Sequence, residues 1–441
     1  MSEIKMDSSI LIIGREAFSH HIFGTFGIST AYHLAKRGYI NITCIDKHPY
    51  PSLDSAGYDL NKIIRTEYDE PLYAKMAVEA IEAWRRPLWD GIFHETGWLV
   101  TTCGSEKATR HLRQSYENLV SDGNASGIEF VETPEDLIRY VPQLKHARDI
   151  SNWKGLWNKH AGWAHAANAS RKLADEAKKL GVRFVSGSEG TMTCLEIVDG
   201  KLSGVKVASG NTLTAKQYIL CTGAASPALL PELSSQLWSK CWTLAHIELT
   251  EAEVAEYKNM PVVDNHELGF FFEPDPVTRL IKICNATQGY QSATASTPDG
   301  GACYSVPRYA SDHPKDGIPD EARDEINRFI DNLLPQFSGR PLKGARICWC
   351  TDTPDQHFLI TPHAKYPELL LATGDSGHGF KFLPIIGSYI SDALEGKERG
   401  VKAEWGWRNM KWKEVSTRPG DVVKDLRDVG IGSQTFQSGK L

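Results

Sequence analysis

Two short segments in the last quarter of the chain carry residues that could do chemistry. The first, Cys348-Trp-Cys-Thr-Asp-Thr-Pro354, begins within a strand-like apolar run and places a thiol where an apolar residue would serve packing better. The second, Gly374-Asp-Ser-Gly-His-Gly-Phe-Lys-Phe382, is a glycine-rich turn before a helix, which brings bare backbone N–H groups and a lysine to one place. Together they predict a site that holds a large redox cofactor, covalently if the thiol takes part, beside an anionic substrate.

The elements that would position these segments begin with a βαβ unit near the N-terminus. Residues 10–14 form a short apolar run typical of a buried strand, residues 27–37 have the apolar spacing of a helix, and residues 42–46 form a second apolar run. A strand, a helix and a strand in this order open the folds that bind dinucleotides. Residues 242–309 instead alternate between apolar and polar positions, which predicts an antiparallel sheet.

The order of these patterns predicts an α/β (α+β) fold with two interleaved domains. The Rossmann-like domain that binds the cofactor is expected at residues 1–90, 155–240 and 340–400, the substrate domain with its antiparallel sheet at 91–154 and 241–339, and a C-terminal extension at 401–441. A chain of 441 residues is long enough for two such cores.

The composition argues against several classes of protein. Hydrophobic residues make up 41% of the chain and charged residues 24%, which is ordinary for a soluble globular protein. The net charge of -6 and the isoelectric point near 6.2 argue against a nucleic-acid partner. No apolar run approaches the ~20 residues of a membrane helix, so we expect no membrane contact. The nine cysteines form no disulfide pattern, which favours a reducing compartment.

The two ends of the chain carry little targeting information. The first seven residues are polar and lack the apolar stretch of a secretory signal. The C-terminal Gly439-Lys440-Leu441 resembles the Ser-Lys-Leu peroxisomal address but departs from it at the first position. We therefore expect a peroxisomal or cytoplasmic protein, and we expect it to act as a monomer.

The glycine fingerprint of the βαβ unit is interrupted. A dinucleotide site requires Gly-x-Gly-x-x-Gly, so that the backbone can approach the pyrophosphate at the helix N-terminus. Gly14, Gly24 and Gly27 supply these glycines, but nine residues, 15–23, stand where one is expected. Asp46 lies 19 residues beyond Gly27, close to the spacing of a carboxylate that binds ribose hydroxyls. These surplus residues leave three alternatives open. They bulge outward and leave the site intact, or they displace the pyrophosphate and weaken cofactor binding. The third alternative is that they are an artefact of the gene model.

With these motifs, the chain resembles the flavin-dependent secondary-amine oxidases. This family includes monomeric sarcosine oxidase, L-pipecolate oxidase, L-saccharopine oxidase and the fructosyl amino acid oxidases, and the resemblance covers nearly the whole chain. It is carried by the fingerprint and by residues 61–65 (Asn-Lys-Ile-Ile-Arg), 221–224 (Cys-Thr-Gly-Ala), 281–284 (Ile-Lys-Ile-Cys), 348–354 and 377–382. The last two segments are the specific ones.

The resemblance implies FAD as the cofactor, attached through the sulfur of Cys348 to the flavin 8-methyl group. The alternative for Cys348 is an inert buried thiol, the commonest fate of a lone cysteine. Cys350 is on the same strand face and falls where sarcosine oxidase has a pocket tyrosine. Companion ligands at zinc spacing are absent, so no metal site is predicted. The expected cofactor-binding residues are Gly14, Gly24, Thr25, Gly27, Asp46, Lys62, Gly223, Cys348, Gly377, Gly379, Phe380 and Lys381.

The resemblance also implies which residues act on the substrate: Lys282, Lys381, Arg65, Lys62 and Cys350. Lys381 and Arg65 would bind the substrate carboxylate, because an ammonium and a guanidinium fork suit that group. Lys282 would lie over the flavin, where a positive charge stabilises the anions that form as oxygen is reduced. Lys62 would line the same pocket. The alternatives are solvated surface cations for Arg65 and Lys381, and an outward position on an alternating strand for Lys282.

Position 286 bears on the choice of substrate. Fructosyl amino acid oxidases place a glutamate there against the sugar, whereas this chain has Ala286, whose methyl group cannot accept hydrogen bonds. We therefore expect oxidation of a secondary amino acid such as L-saccharopine, L-pipecolate or an N-alkyl amino acid, giving an imine that hydrolyses and hydrogen peroxide from oxygen. The alternatives are a fructosyl amino acid oxidase that binds its sugar differently, and a flavin-fold protein inactivated by the insertion at 15–23.

Overall fold

The computed structural model describes residues 4–14, 24–52, 55–287, 289–296, 303–409 and 423–432. Two features of the sequence, the surplus residues 15–23 and the C-terminal Gly439-Lys440-Leu441, lie outside the described residues. The described ranges contain no helix whose length and hydropathy would allow it to span a lipid bilayer.

The described residues form the following strands and helices. The strands are β1 (Ile10–Ile13), β2 (Ile42–Ile45), β3 (Lys62–Ile64), β4 (Phe93–His94), β5 (Trp98–Thr102), β6 (Ile128–Val131), β7 (Lys154–Asn158), β8 (Gly162–Ala164), β9 (Arg183–Val185), β10 (Met192–Val198), β11 (Lys201–Val207), β12 (Thr212–Leu213), β13 (Gln217–Leu220), β14 (Trp238–Glu248), β15 (Val262–Asn265), β16 (Gly269–Phe271), β17 (Leu280–Asn285), β18 (Tyr290–Gln291), β19 (Ala295–Ser296), β20 (Cys303–Tyr304), β21 (Lys343–Asp352), β22 (Leu359–Pro362), β23 (Leu369–Thr373) and β24 (Lys424–Asp425). The α-helices are α1 (Thr25–Lys36), α2 (Pro71–Trp84), α3 (Glu106–Ser121), α4 (Pro134–Tyr140), α5 (Ala166–Lys179), α6 (Ser226–Leu229), α7 (Glu251–Tyr257), α8 (Asp320–Leu333), α9 (Ile386–Leu394) and α10 (Leu426–Val429).

A mostly parallel sheet forms one layer of the fold. Its strand order is β22-β23-β13-β1-β2-β9, in which only β22 is antiparallel to its neighbour. Helix α1 packs on α5 and α9 and buries Ile28, Ala31 and Leu34 in the core on one face. The small sheet β10-β11-β12 contributes to the core on the other face, where Leu11 and Ile13 are buried. Burial on both faces explains why these strands are continuous apolar runs.

Helix α1 begins at Thr25, two residues earlier than the periodic apolar pattern at 27–37. Gly24 is its N-cap, has extended backbone angles, and accepts a hydrogen bond from the Ile28 N–H at 3.1 Å. The apolar pattern did not include the first turn because Thr25 is only half-buried. The helix therefore points its free N–H groups towards the carboxyl ends of the parallel strands.

A larger, mainly antiparallel sheet forms the second layer. Its order is β24-β18-β14-β17-β16-β15-β5-β7-β6, and β21 pairs with β14 beside this path. Strand β14 is the longest and pairs with β17 and β21 in antiparallel register. Helix α8 buries Ile326, Phe329 and Ile330 in the core beneath this sheet.

The two layers confirm the predicted α/β (α+β) fold. The chain enters each sheet more than once: β21 lies in the antiparallel sheet, and β22 and β23 then return to the parallel one. The domain bounds drawn from the sequence stay a prediction.

Candidate active site

A cavity lies at the carboxyl ends of the parallel strands; we call it the strand-end cavity. The start of α1 contributes Gly24 and Thr25, the turn after β13 contributes Gly223, and the turn after β23 contributes Gly374. Ligands of open α/β sheets bind in this position. Its remaining lining residues are Phe26, Ser55, Ala56, Gly57, Lys62, Cys221, Ala224, Trp349, Cys350, Ala372, Thr373, Asp375, Gly377, Gly379 and Phe380.

The wall of the strand-end cavity requires glycine at particular positions. At Gly374 the backbone φ is +72°, and an added Cβ would lie 2.7 Å from the Thr353 methyl carbon. At Gly379 an added Cβ would lie 2.9 Å from the Asp375 Cβ and 3.0 Å from the Phe26 ring. The chain therefore exposes bare backbone on several sides of the cavity, which suits close approach of a phosphate-linked cofactor.

Not every residue of the predicted fingerprint lines this cavity. Gly14 follows β1, and its N–H donates to the Ile45 carbonyl at 2.8 Å. Asp46 follows β2, is buried, and accepts a hydrogen bond from the His48 N–H at 3.0 Å. Gly27 allows α1 to approach the sheet, since an added Cβ would lie 3.3 Å from the Cys221 Cβ. The cofactor contacts assigned to Gly14, Gly27 and Asp46 stay predictions.

A second cavity collects the cations and thiols singled out in the sequence; we call it the cation cavity. Strands β3, β17 and β21 and the glycine turn before α9 bring these side chains together, although they lie far apart in the chain. The residues concerned are Lys62, Arg65, Lys282, Cys348, Cys350 and Lys381. Lys62 and Cys350 also line the strand-end cavity, so the two cavities share a wall.

Asp59 organises two of these cations, Lys62 and Lys282, together with Arg346, and was not identified from the sequence. Its Oδ2 accepts hydrogen bonds from Lys282 Nζ at 2.5 Å and lies 3.0 Å from Lys62 Nζ, and its Oδ1 lies 3.0 Å from Arg346 Nη2. Burial alone would raise the pKa of Asp59, but the charges of Lys282, Lys62 and Arg346 hold it well below its usual range. Lys282 is therefore buried and ion-paired rather than pointing outward on an alternating strand.

The two thiols of β21 lie on one face of the strand, as predicted from their spacing. Cys348 pairs in register with Trp242 of β14, and Cys350 with Lys240. The Cys350 thiol donates a hydrogen bond to Cys348, and with the charges of Lys62 and Arg346 it lowers the pKa of Cys348 despite burial. The same hydrogen bond and burial raise the pKa of Cys350. Cys348 is thus the thiol with nucleophilic character.

Lys381 belongs to a buried hydrogen-bond network. Its Nζ donates to the Tyr68 hydroxyl at 2.8 Å and to the His378 carbonyl at 3.1 Å. The Tyr68 hydroxyl lies 3.1 Å from His378 Nδ1, and His378 Nε2 lies 3.0 Å from the Gln356 carbonyl. Burial and the Lys381 charge lower the pKa of His378 to about 3, so the imidazole is neutral. It therefore donates from Nε2 to Gln356 and accepts from Tyr68 at Nδ1.

The two cations expected to bind a carboxylate differ in their surroundings. Burial, and then the nearby Arg65 charge, lower the pKa of Lys381 well below its usual value. The Arg65 guanidinium stacks over the rings of Tyr68 and Trp98 at 4.6 and 5.1 Å. Among the described residues it has no hydrogen-bond or ion-pair partner. Neither cation has an ion-pair partner among the described residues, although the buried Glu67 interacts electrostatically with both. Two such neighbouring cations form a site for an anion.

A third cavity adjoins the cation cavity; we call it the outer cavity. The two share Arg65, Trp242, Asp264, Phe270 and His378 among their walls. Ala286 lines the outer cavity, whereas the thiols of Cys348 and Cys350 do not. No cluster of three or more His, Cys, Asp or Glu side chains suited to a metal ion occurs in the described ranges.

Comparison with known proteins places the chain in a family. Residues 24–393 match the sequence profile of the family described as DAO, FAD dependent oxidoreductase, and the chain belongs to this family. It is 33% identical to L-saccharopine oxidase of Schizosaccharomyces pombe, over 93% of this chain and 96% of that protein. It is 24% identical to monomeric sarcosine oxidase of Arthrobacter sp., over 89% of this chain and 94% of that protein.

Solved structures show the same fold. A thermally stable mutant of fructosyl peptide oxidase superposes with a TM-score of 0.88 and 34% identity, over 98% of this chain and all of that structure. The fructosamine oxidase Amadoriase II from Aspergillus fumigatus gives a TM-score of 0.85 and 36% identity, over 99% of both chains. The protein is therefore an FAD-dependent oxidoreductase, and the glycine-lined strand-end cavity fits FAD: Gly24, Thr25, Gly223 and Gly379 would hold the cofactor through backbone contacts.

Proposed function

We propose that this protein oxidises the carbon–nitrogen bond of a secondary amino acid, with FAD attached through Cys348 and oxygen as the electron acceptor. One observation carries the proposal: Cys348, Arg65 and Lys381 line a single cavity that shares a wall with the glycine-lined one. The comparisons support the substrate class, because L-saccharopine and sarcosine, named in two relatives, are both secondary amino acids.

The substrate carboxylate would bind between Arg65 and Lys381. Arg65 offers a fork of N–H donors that has no hydrogen-bond partner among the described residues, and Lys381 offers an ammonium held in place by Tyr68. A carboxylate beside Lys381 compensates the burial that lowers its pKa, so the bound substrate favours the charged lysine. Because His378 is neutral, its Nδ1 accepts the hydrogen bond that the Tyr68 hydroxyl donates. The oxygen of that hydroxyl can therefore accept the hydrogen bond from Lys381.

FAD supplies the two-electron oxidation, and the protein supplies attachment, orientation and charge. Cys348 is suited to attachment because Cys350 and Lys62 both stabilise its thiolate. Lys282, fixed by Asp59, keeps a positive charge on the wall of the cation cavity, where it would stabilise negative charge that develops as oxygen is reduced. Trp242, Phe270 and Phe272 give this cavity apolar walls that limit the access of water.

A fructosyl amino acid oxidase is the second candidate, since solved structures of that type share 34% to 36% identity with this chain. Ala286 offers no acceptor to sugar hydroxyls, although the carboxylate of Asp264 also lines the outer cavity and could accept hydrogen bonds. The peroxisomal or cytoplasmic location stays a prediction.

Peroxide release from a panel of amines tests the proposal. The purified holoenzyme is given L-saccharopine, L-pipecolate, sarcosine and fructosyl-lysine at equal concentrations in air. We expect peroxide from at least one of the first three at a higher kcat/KM than from fructosyl-lysine. Preference for fructosyl-lysine would support the second candidate, and no peroxide from any compound would refute both.

A further inference from the structure

Asp264 lies at the junction of the cation cavity and the outer cavity, and its carboxylate has no partner in the part of the chain that the structure describes. It lies on β15 opposite Phe270 of β16, and both side chains line both cavities. Its backbone carbonyl accepts from the Thr101 hydroxyl at 3.2 Å. Its carboxylate forms no hydrogen bond or ion pair with any residue that the structure describes.

The other carboxylates around the outer cavity are already engaged. Asp355 pairs with Arg408 at 2.6 Å. Glu70 caps helix α2 by accepting from the Leu72 N–H. Asp69 is exposed and lies 3.6 Å from His111. Among the described carboxylates of this wall, Asp264 is therefore the one with neither a side-chain hydrogen bond nor an ion pair.

Arg65 lines the same two cavities and is also without an ion-pair partner among the described residues. Both cavities are thus lined by a cation, Arg65, and an anion, Asp264, which do not form an ion pair with each other. Partly desolvated charges are stabilised when a counter-charge arrives. A ligand with a carboxylate at one point and an ammonium farther along its length supplies both counter-charges.

We infer that Asp264 binds a second, cationic group of the substrate, and that the substrate is a secondary amino acid carrying an additional ammonium group. This inference rests on the proposed function, which puts the reacting end of the substrate at Arg65 and Lys381. The outer cavity accepts the remainder of the molecule, and the small side chain of Ala286 leaves room for it. Asp264 is then a specificity-determining residue.

Two experiments on the holoenzyme test this inference. The first measures kcat/KM for L-saccharopine, for L-saccharopine acetylated on its primary amino group, and for L-pipecolate, which lacks that group. The second measures equilibrium binding of the same compounds by calorimetry to enzyme whose flavin has been chemically reduced beforehand, so that no turnover occurs. The variants are Asp264→Asn, which keeps the size of the side chain, and Asp264→Ala. Asp324→Asn on the exposed face of α8 is the control for the change in net charge.

We expect the unmodified protein to prefer L-saccharopine over its acetylated form by roughly 10- to 100-fold in both experiments, the usual size of a contact between charged groups. Both Asp264 variants should remove this preference and leave L-pipecolate within about threefold of the unmodified protein. A preference that survives in the variants, or an equal loss for all three compounds, overturns the inference. If the calorimetric binding depends on Asp264 but no compound gives peroxide, the proposed oxidation is rejected, whereas the role of Asp264 in binding is supported.

Discussion

The carboxylate of Asp59 should contribute strongly to stability, because it is the common partner of Lys62, Lys282 and Arg346. Its side chain is fully buried, and Lys282 is 2% exposed. Removing one partner of a buried ion pair costs about 3–5 kcal/mol, mainly because a charge is left buried without compensation. We therefore expect Asp59→Asn to lower the free energy of unfolding by about 3–5 kcal/mol at neutral pH.

Urea denaturation followed by tryptophan fluorescence measures this loss. The control Asp324→Asn removes an exposed charge and should change stability by less than about 0.5 kcal/mol. Adding Lys282→Met to Asp59→Asn removes one uncompensated cation, so the double variant should recover part of the loss. An Asp59→Asn variant within about 1 kcal/mol of the unmodified protein, or a double variant less stable than the single one, would refute this account of the charges.

The same variant has a pH signature. The pKa of Asp59 is lower in the folded protein than in the unfolded chain. Its contribution to the free energy of unfolding is therefore fully present above the unfolded pKa of ~3.9 and is lost as the pH falls towards the folded pKa. Asp59→Asn should therefore lose less stability than the unmodified protein on acidification below about pH 4. Parallel stability curves would contradict the low pKa.

Three further predictions concern the cofactor and the substrate. Cys348→Ala should release its flavin into the supernatant on acid precipitation, whereas the exposed-thiol control Cys194→Ala should keep it on the polypeptide. Lys381→Met should lower kcat/KM on the order of 100-fold, mainly through KM, because a charge-assisted contact to the carboxylate is lost. Burial and the charges of Asp352 and Cys348 raise the pKa of Asp375 to about 7. Because the folded protein holds this proton more tightly than the unfolded chain, the free energy of unfolding of the unmodified protein should decrease as the pH rises from about 4 to 7. The decrease should be smaller in Asp375→Asn.

Each of these predictions can fail in a clear way. Flavin that stays with the Cys348→Ala polypeptide would reject attachment at that sulfur. Unchanged KM in Lys381→Met would remove the lysine from the carboxylate site. A pH dependence of unfolding that is the same with and without Asp375 would show that this carboxyl keeps an ordinary pKa.

Much of the fold could be predicted from local patterns. The apolar runs at 10–14 and 42–46 correspond to β1 and β2, and alternation correctly indicated the antiparallel sheet that contains β14 and β17. The spacing of Cys348 and Cys350 correctly placed both on one strand face. These features depend on the strand period and on burial, which are visible within a few residues of sequence.

The partners of the charged residues could not be predicted in the same way. Lys282 meets Asp59 across 223 positions of sequence, and Lys381 meets Tyr68 across 313. No local period specifies such contacts, because they depend on how the two sheets pack. Asp264 is even harder to identify, since its significance is the absence of a partner among the described residues. The one feature of the sequence that could have identified Asp59 is that this acid lies close to Lys62 and Arg65 in the chain.

The most direct test of the central claim is whether a secondary amino acid reduces the bound flavin. The holoenzyme is mixed with L-saccharopine or L-pipecolate without oxygen, and its visible absorbance is followed before and after air is admitted. We expect the yellow absorbance to disappear with one of these compounds and to return in air with release of an equal amount of hydrogen peroxide. A flavin that stays oxidised with every secondary amino acid, in a protein that binds FAD, would contradict the proposed reaction.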